Sequence, residues 1–95
     1  MKRPEPGMNP AIYEAYDKMI KSVGFKGILD DLKLMTRAYF RYGPLSAITI
    51  SNEVNLWKRL RAMTSLTSYE KDILYVWLRQ EPKRIQEAKD NGQHE

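Results

Sequence analysis

Acid–base and nucleophilic chemistry draw on cysteine, histidine or paired carboxylates, and this chain of 95 residues is poor in all three. It has no cysteine, which excludes thiolate nucleophiles, thiolate metal sites and disulfides. Its one histidine, His94, is next to last in a polar tail, where a side chain is normally solvated, so the usual Ser–His or Cys–His arrangement cannot be assembled. Asp30 and Asp31 are adjacent, but neighbours on a helix diverge by about 100°. The pair therefore reads as a solvated helix surface. No His-x-x-x-His spacing and no calcium-loop pattern is present, and the scattered glycines form no phosphate-binding loop. The residue types point to a protein that is not an enzyme and carries no cofactor or metal.

The basic residues offer more. Lys26, Lys33, Arg37 and Arg41 fall on one flank of a predicted helix, interrupted by Asp30, and Lys58, Arg59 and Arg61 lie on the next one. The run Thr36-Arg-Ala-Tyr-Phe-Arg-Tyr42 interleaves arginine with aromatics. Arginine clamps phosphates and tyrosine stacks on bases, so Lys33, Arg37, Arg41, Lys58, Arg59 and Arg61 are the candidate contacts for a nucleic acid. The formal net charge of +4 is mild, and solubilising surface charge explains the same residues. A helix-turn-helix is a weak match, because Pro44 and Ile48-Thr-Ile50 sit where the second helix should begin after three or four residues.

A protein partner is the leading expectation. Leu34 and Ala38 point away from the apolar face of their helix, and Tyr75 and Leu78 lie off the best-buried side of theirs. These four are the candidate protein-binding residues, in an adaptor or inhibitor acting on a larger macromolecule. A nucleic-acid-binding regulator is the alternative. Self-association through the apolar run Ile73–Leu78 would give an isologous dimer. A membrane surface is not expected, since the polar helix faces mix acids with bases.

The elements that position these residues follow from caps and periodicity. Asn9-Pro10 is a helix start, with Asn as cap and Pro in the first turn. Ile12, Tyr16, Met19, Ile20 and Val23 then share a face up to Gly24, read as a C-terminal glycine. Phe25 to Tyr42 is a second helix stopped by Gly43-Pro44. Its apolar face is Phe25, Ile28, Leu29, Leu32, Tyr39 and Phe40, with Met35 at the margin. A third helix lies within Ser46 to Met63, secure from Glu53 onward and ambiguous over Ala47–Ile50; Leu56, Trp57, Leu60 and Met63 form its apolar side.

Thr67-Ser-Tyr-Glu70 has capping-box spacing and opens a fourth helix from Ser68 to about Gln80. Its run of six apolar or aromatic residues, Ile73 to Leu78, is broader than a surface stripe. Such a helix is either central in the fold or covered by a partner. Both tryptophans are expected in the core. Pro82 starts a polar fifth segment running to about Asp90, with Ile85 and Ala88 to bury.

The expected architecture is all-α: one domain over residues 9–90, an irregular bundle of four main helices and a weak C-terminal fifth. Residues 1–8 read as a flexible arm and 91–95 as a tail. Lys2-Arg3-Pro-Glu-Pro-Gly7 does not resemble a signal peptide, and no run approaches the ~20 apolar residues of a membrane span. A cytoplasmic location is expected.

Overall fold

The computed structural model describes residues 1–93 and is all-α, with no strand among them. Its helices are α1 (Pro10–Ile20), α2 (Phe25–Tyr42), α3 (Ala47–Ala62), α4 (Ser68–Leu78) and α5 (Glu81–Gln93). Spatial neighbours run in the order α1–α4–α3–α2–α5, with α2 and α3 the most extensive pair. The helices fill a volume of 39 × 32 × 19 Å, whose short dimension fits two helix diameters of about 10 Å. Short connections do not make every pair of consecutive helices neighbours here: α1 packs chiefly on α4, not on α2.

Local chemistry explains each helix start. The Asn9 side chain accepts from the Ala11 amide, with Pro10 inside the first turn. Thr67 and Glu70 complete the reciprocal capping box. Ser46 caps α3 by accepting from the Thr49 amide, so Ala47–Ile50 is helical. The buried Thr49 hydroxyl also donates to the Gly43 carbonyl, 2.8 Å away. This ties the start of α3 to the end of α2 and compensates the low helix propensity of the Ile-Thr-Ile run. Gly43 itself has φ +96°, a conformation that glycine adopts without steric cost.

One core joins α1 through α4. Met19, Ile28, Met35, Leu56, Leu60, Leu74 and Leu78 are fully buried. Trp77 is also buried, meeting the Tyr16 ring edge-on at 5.8 Å, whereas Trp57 is half-buried against Tyr75.

Several sequence expectations change. Helix α1 ends at Ile20, so Gly24 caps the start of α2 instead of the end of α1. Val23 then stands in the connecting turn and is 104% exposed, outside the face assigned to it. Met35 is at the centre of the core, and Phe40 is exposed with the Lys89 ammonium over its ring. The buried arc of α2 is rotated toward α3, which takes in Met35 and leaves Phe40 on the flank beside α5.

Helix α5 begins at Glu81, one residue ahead of Pro82, and takes in residues 91–93 of the expected tail. Pro82 is fully buried. Arg84 fixes the α4–α5 corner by donating to the Trp77 carbonyl at 2.7 Å and to Glu81 at 2.8 Å. Within the segment 1–8, expected as a flexible arm, Arg3 pairs with Asp17 of α1, Pro4 is buried, and the Tyr13 hydroxyl of α1 donates to the Glu5 carbonyl.

Candidate functional site

The four candidate protein-binding residues do not form one surface. Leu34 is 47% exposed, but Ala38 on the same flank is buried, because α3 packs along that side of α2. Leu78 is completely buried and Tyr75 half-buried. The reason is that α4 is the central helix, with α1 on one side and α3 on the other. The apolar arc of Ile73–Leu78 is thus covered within the chain, except for exposed Val76.

Leu34 and Tyr75 also lie on opposite flanks of α3. Tyr75 packs on Trp57, ring centroids 4.9 Å apart, whereas Leu34 shares the flank of α2 crossed by Arg59. Trp57 and Arg59 are two residues apart, hence about 200° around the helix.

Lys33, Arg37, Arg41, Lys58, Arg59 and Arg61 are all exposed. Arg37 is two residues from buried Met35, and Lys58 is two from both Leu56 and Leu60. A separation of about 200° turns each of these cations away from the core. Lys26, Lys33, Arg37 and Arg41 run as a stripe along α2, with Lys33 to Arg41 covering about 12 Å of helix axis.

Arg59 differs from the others. Its guanidinium pairs with Asp31, which is buried and not on the solvated surface expected of it. The pair offsets the Arg59 charge locally and removes it from the group of unopposed cations. Helices α2 and α3 are packed side by side along their length as a helical hairpin, which is not the splayed arrangement of a helix-turn-helix.

Net charge is concentrated in this hairpin. Residues 25–62 hold seven Lys/Arg against three Asp/Glu, a balance of +4, and the rest of the chain holds nine of each. The hairpin therefore carries the entire formal charge of the protein.

At its tip, beyond the basic stripe, Tyr42, Leu45 and Ile48 are exposed, Leu45 by 84%. None of the three is among the candidate contacts read from the sequence, where Tyr42 enters only as the end of the run that interleaves arginine with aromatics. The signal that could have found them is Gly43-Pro44, which forces a sharp reversal and so places its neighbours at an end of the molecule.

Two clefts remain. One of about 640 Å³ lies between the α1–α2 and α3–α4 turns, bordered by Lys18, Lys21, Ser22, Arg59 and Ser65. Most of its polar groups are engaged: Lys18 with Glu70, Arg59 with Asp31, and the Ser22 and Ser65 hydroxyls with each other. A second cleft of about 260 Å³, between α1 and α4, is lined by Met8, Ile12, Ile73, Val76 and Trp77.

The Glu70 carboxyl has a structural role. The Thr67 amide, followed by the Lys18 ammonium, holds the Glu70 carboxyl below its ordinary range against the effect of burial. Among the described residues no group of His, Cys, Asp or Glu could hold a metal ion, and no helix is long and apolar enough to cross a membrane. His94 lies outside the described residues. No protein-family model, curated protein or solved structure matches the chain.

Proposed function

We propose that this protein is a non-enzymatic nucleic-acid-binding protein whose contact surface is the solvent side of the α2–α3 hairpin. The observation that carries the reading is the confinement of the whole +4 charge to residues 25–62, with the cations outside the Asp31 pair turned to solvent. Neutralising phosphates releases condensed counterions and supplies most sequence-independent affinity. Lys26, Lys33, Arg37 and Arg41 track the backbone on α2, with Lys58 and Arg61 on α3. Arg59 contributes less because Asp31 already opposes it.

The test is fluorescence anisotropy of a labelled oligonucleotide against salt. Each phosphate contact adds about 0.7–0.9 to the slope of log affinity on log salt. Arg37→Ala with Arg41→Ala should weaken binding and lower that slope by about 1.5–2. Lys2→Ala, in the segment beside α1 and away from the hairpin, should leave the slope unchanged. A slope indifferent to Arg37 and Arg41 removes this surface from the proposal.

A second reading, an adaptor or inhibitor that associates with a protein partner, is favoured by the exposed apolar residues Leu34, Leu45, Ile48, Ile50 and Val54. Such binding would tolerate salt. Leu34→Glu would disrupt it without unfolding the domain.

A further inference from the structure

We infer that the nucleic acid taken by the hairpin is single-stranded, and that Tyr42 at the tip is the ring on which a base stacks. This rests on the nucleic-acid reading above and goes beyond it by naming the strand state and the stacking residue.

Five of the six tyrosines have a hydrogen-bond or ring partner within the protein. Tyr13 donates to the Glu5 carbonyl and Tyr69 accepts from the Asn9 amide group. Tyr16 meets Trp77, Tyr39 meets Phe40 and Tyr75 meets Trp57. Tyr42 is 56% exposed, and among the described residues nothing holds its ring or its hydroxyl.

Tyr42 follows Arg41 in the last turn of α2, immediately before the Gly43-Pro44 reversal. Arg37 and Lys33 lie one and two turns further along, at intervals of about 6 Å of axis. Leu45 and Ile48 supply apolar surface on the other side of the reversal. Tyr42 stands about 100° round the helix from Arg41, so a strand leaving the cationic track meets the open ring by turning over the tip. This matches the recognition of unpaired strands, in which cations follow the backbone and bases stack on aromatics. A duplex keeps its base faces inside its own stack, so cationic contacts to its backbone gain nothing from such a ring. Phe40 is not equivalent, because the Lys89 ammonium covers its ring.

The experiment compares a labelled pyrimidine single strand with its duplex by anisotropy at fixed moderate salt, using the full chain. The single strand should bind more tightly. Tyr42→Ala should weaken it by about 5- to 150-fold, while Tyr42→Phe, which keeps the ring, should bind like the parent. Tyr69→Ala removes a tyrosine of equal exposure on the α1–α4 side and should have no effect.

Equal binding of duplex and single strand, with Tyr42→Ala silent, overturns the inference. The nucleic-acid reading would survive that result if Arg37→Ala with Arg41→Ala still lowers the salt slope. Failure to bind either strand state overturns both. If Tyr42→Ala instead changes the sedimentation of the protein and spares oligonucleotide binding, the tip is a self-association surface and the inference fails.

Discussion

Arg59 of α3 lies across Gly27 of α2 and ends on the buried carboxylate of Asp31. A Cβ at Gly27 would stand 3.0 Å from the Arg59 Cζ and 3.3 Å from its Cδ, so the absent side chain is what lets the arginine cross. Asp31 is one turn further along the same flank and closes the crossing with an ion pair. Gly27 is in the first turn of α2, where glycine costs less than the about 1 kcal/mol of a helix interior, and the contact it permits offsets that cost. The pair fixes the register of the two helices that carry the net charge.

Arg59→Ala should destabilise the protein by about 1–2 kcal/mol in urea unfolding. A buried carboxylate left unpartnered carries a larger penalty, but the arginine is more than half exposed to solvent, which weakens the pair. Double substitution, Arg59→Ala with Asp31→Ala, should recover part of the loss. A fully additive double mutant would show that the two side chains do not act together.

Leu34 and Met35 are adjacent in sequence and opposite in environment. Met35→Ala should cost about 2–5 kcal/mol, the range for truncating a fully buried side chain. Leu34→Glu should change stability by less than about 0.5 kcal/mol, as expected of a surface position. Thermal unfolding of the two variants checks the rotation of α2 directly. Comparable losses would place Leu34 in the core.

That rotation marks where the sequence stops being informative. Caps are local: Asn9-Pro10, Gly43-Pro44 and Thr67-x-x-Glu70 each act within a few residues, so the limits of α2 and the start of α4 were legible. Coverage is not local. Helical phase relates Leu34 to Ala38 and Tyr75 to Leu78, but α3 buries Ala38 and the placement of α4 between α1 and α3 buries Leu78. Asp31 shows the same limit, since its partner is 28 residues away. The cationic residues were legible because lysine and arginine are almost never fully buried. Their net effect appears once the hairpin that holds them is known.

Thr49 was ambiguous for a related reason. β-branched residues suggest an extended segment, and the bond that decides for helix runs from the Thr49 hydroxyl to the Gly43 carbonyl. Thr49→Val keeps the shape and removes that donor. It should cost about 1–2 kcal/mol, and amide hydrogen exchange should rise most in the first turns of α3. Unchanged exchange there would show that Ser46 alone starts the helix.

The Lys18–Glu70 pair sets a pH window. The Thr67 amide and then Lys18 lower the Glu70 pKa from its ordinary 4.5, and the bond that the Lys18 ammonium donates to Glu70 raises its own pKa above 10.5. As pH falls below 4.5 the unfolded chain takes up a proton that folded Glu70 refuses, so stability declines until Glu70 itself titrates. As pH rises above 10.5 folded Lys18 keeps a proton that the unfolded chain has released, and stability declines again. Between these limits the contribution is constant. Glu70→Gln retains the shape of the capping residue and removes its charge. The stability difference between parent and variant should be flat from about pH 5 to 10 and shrink in acid. A difference unchanged down to pH 3 would mean that the carboxylate charge contributes nothing.

Asp30 is the single acid in the stripe from Lys26 to Arg41, and its side chain is exposed. For a polyanion this carboxylate is the one repulsive group among four attractive ones, so removing it should strengthen binding. Surface charge interactions of about 0.3–1 kcal/mol translate to roughly a twofold to fivefold gain in affinity. Asp30→Asn should show that gain at low salt and lose most of it at high salt, where the Debye length falls to about 3 Å. Stability should stay within about 0.5 kcal/mol of the parent. Because the variant adds function to a folded protein, an improvement cannot be attributed to unfolding, which complicates any loss seen with Arg37 or Arg41. An affinity that does not respond to Asp30 at any salt concentration would move the contact surface off this face of α2.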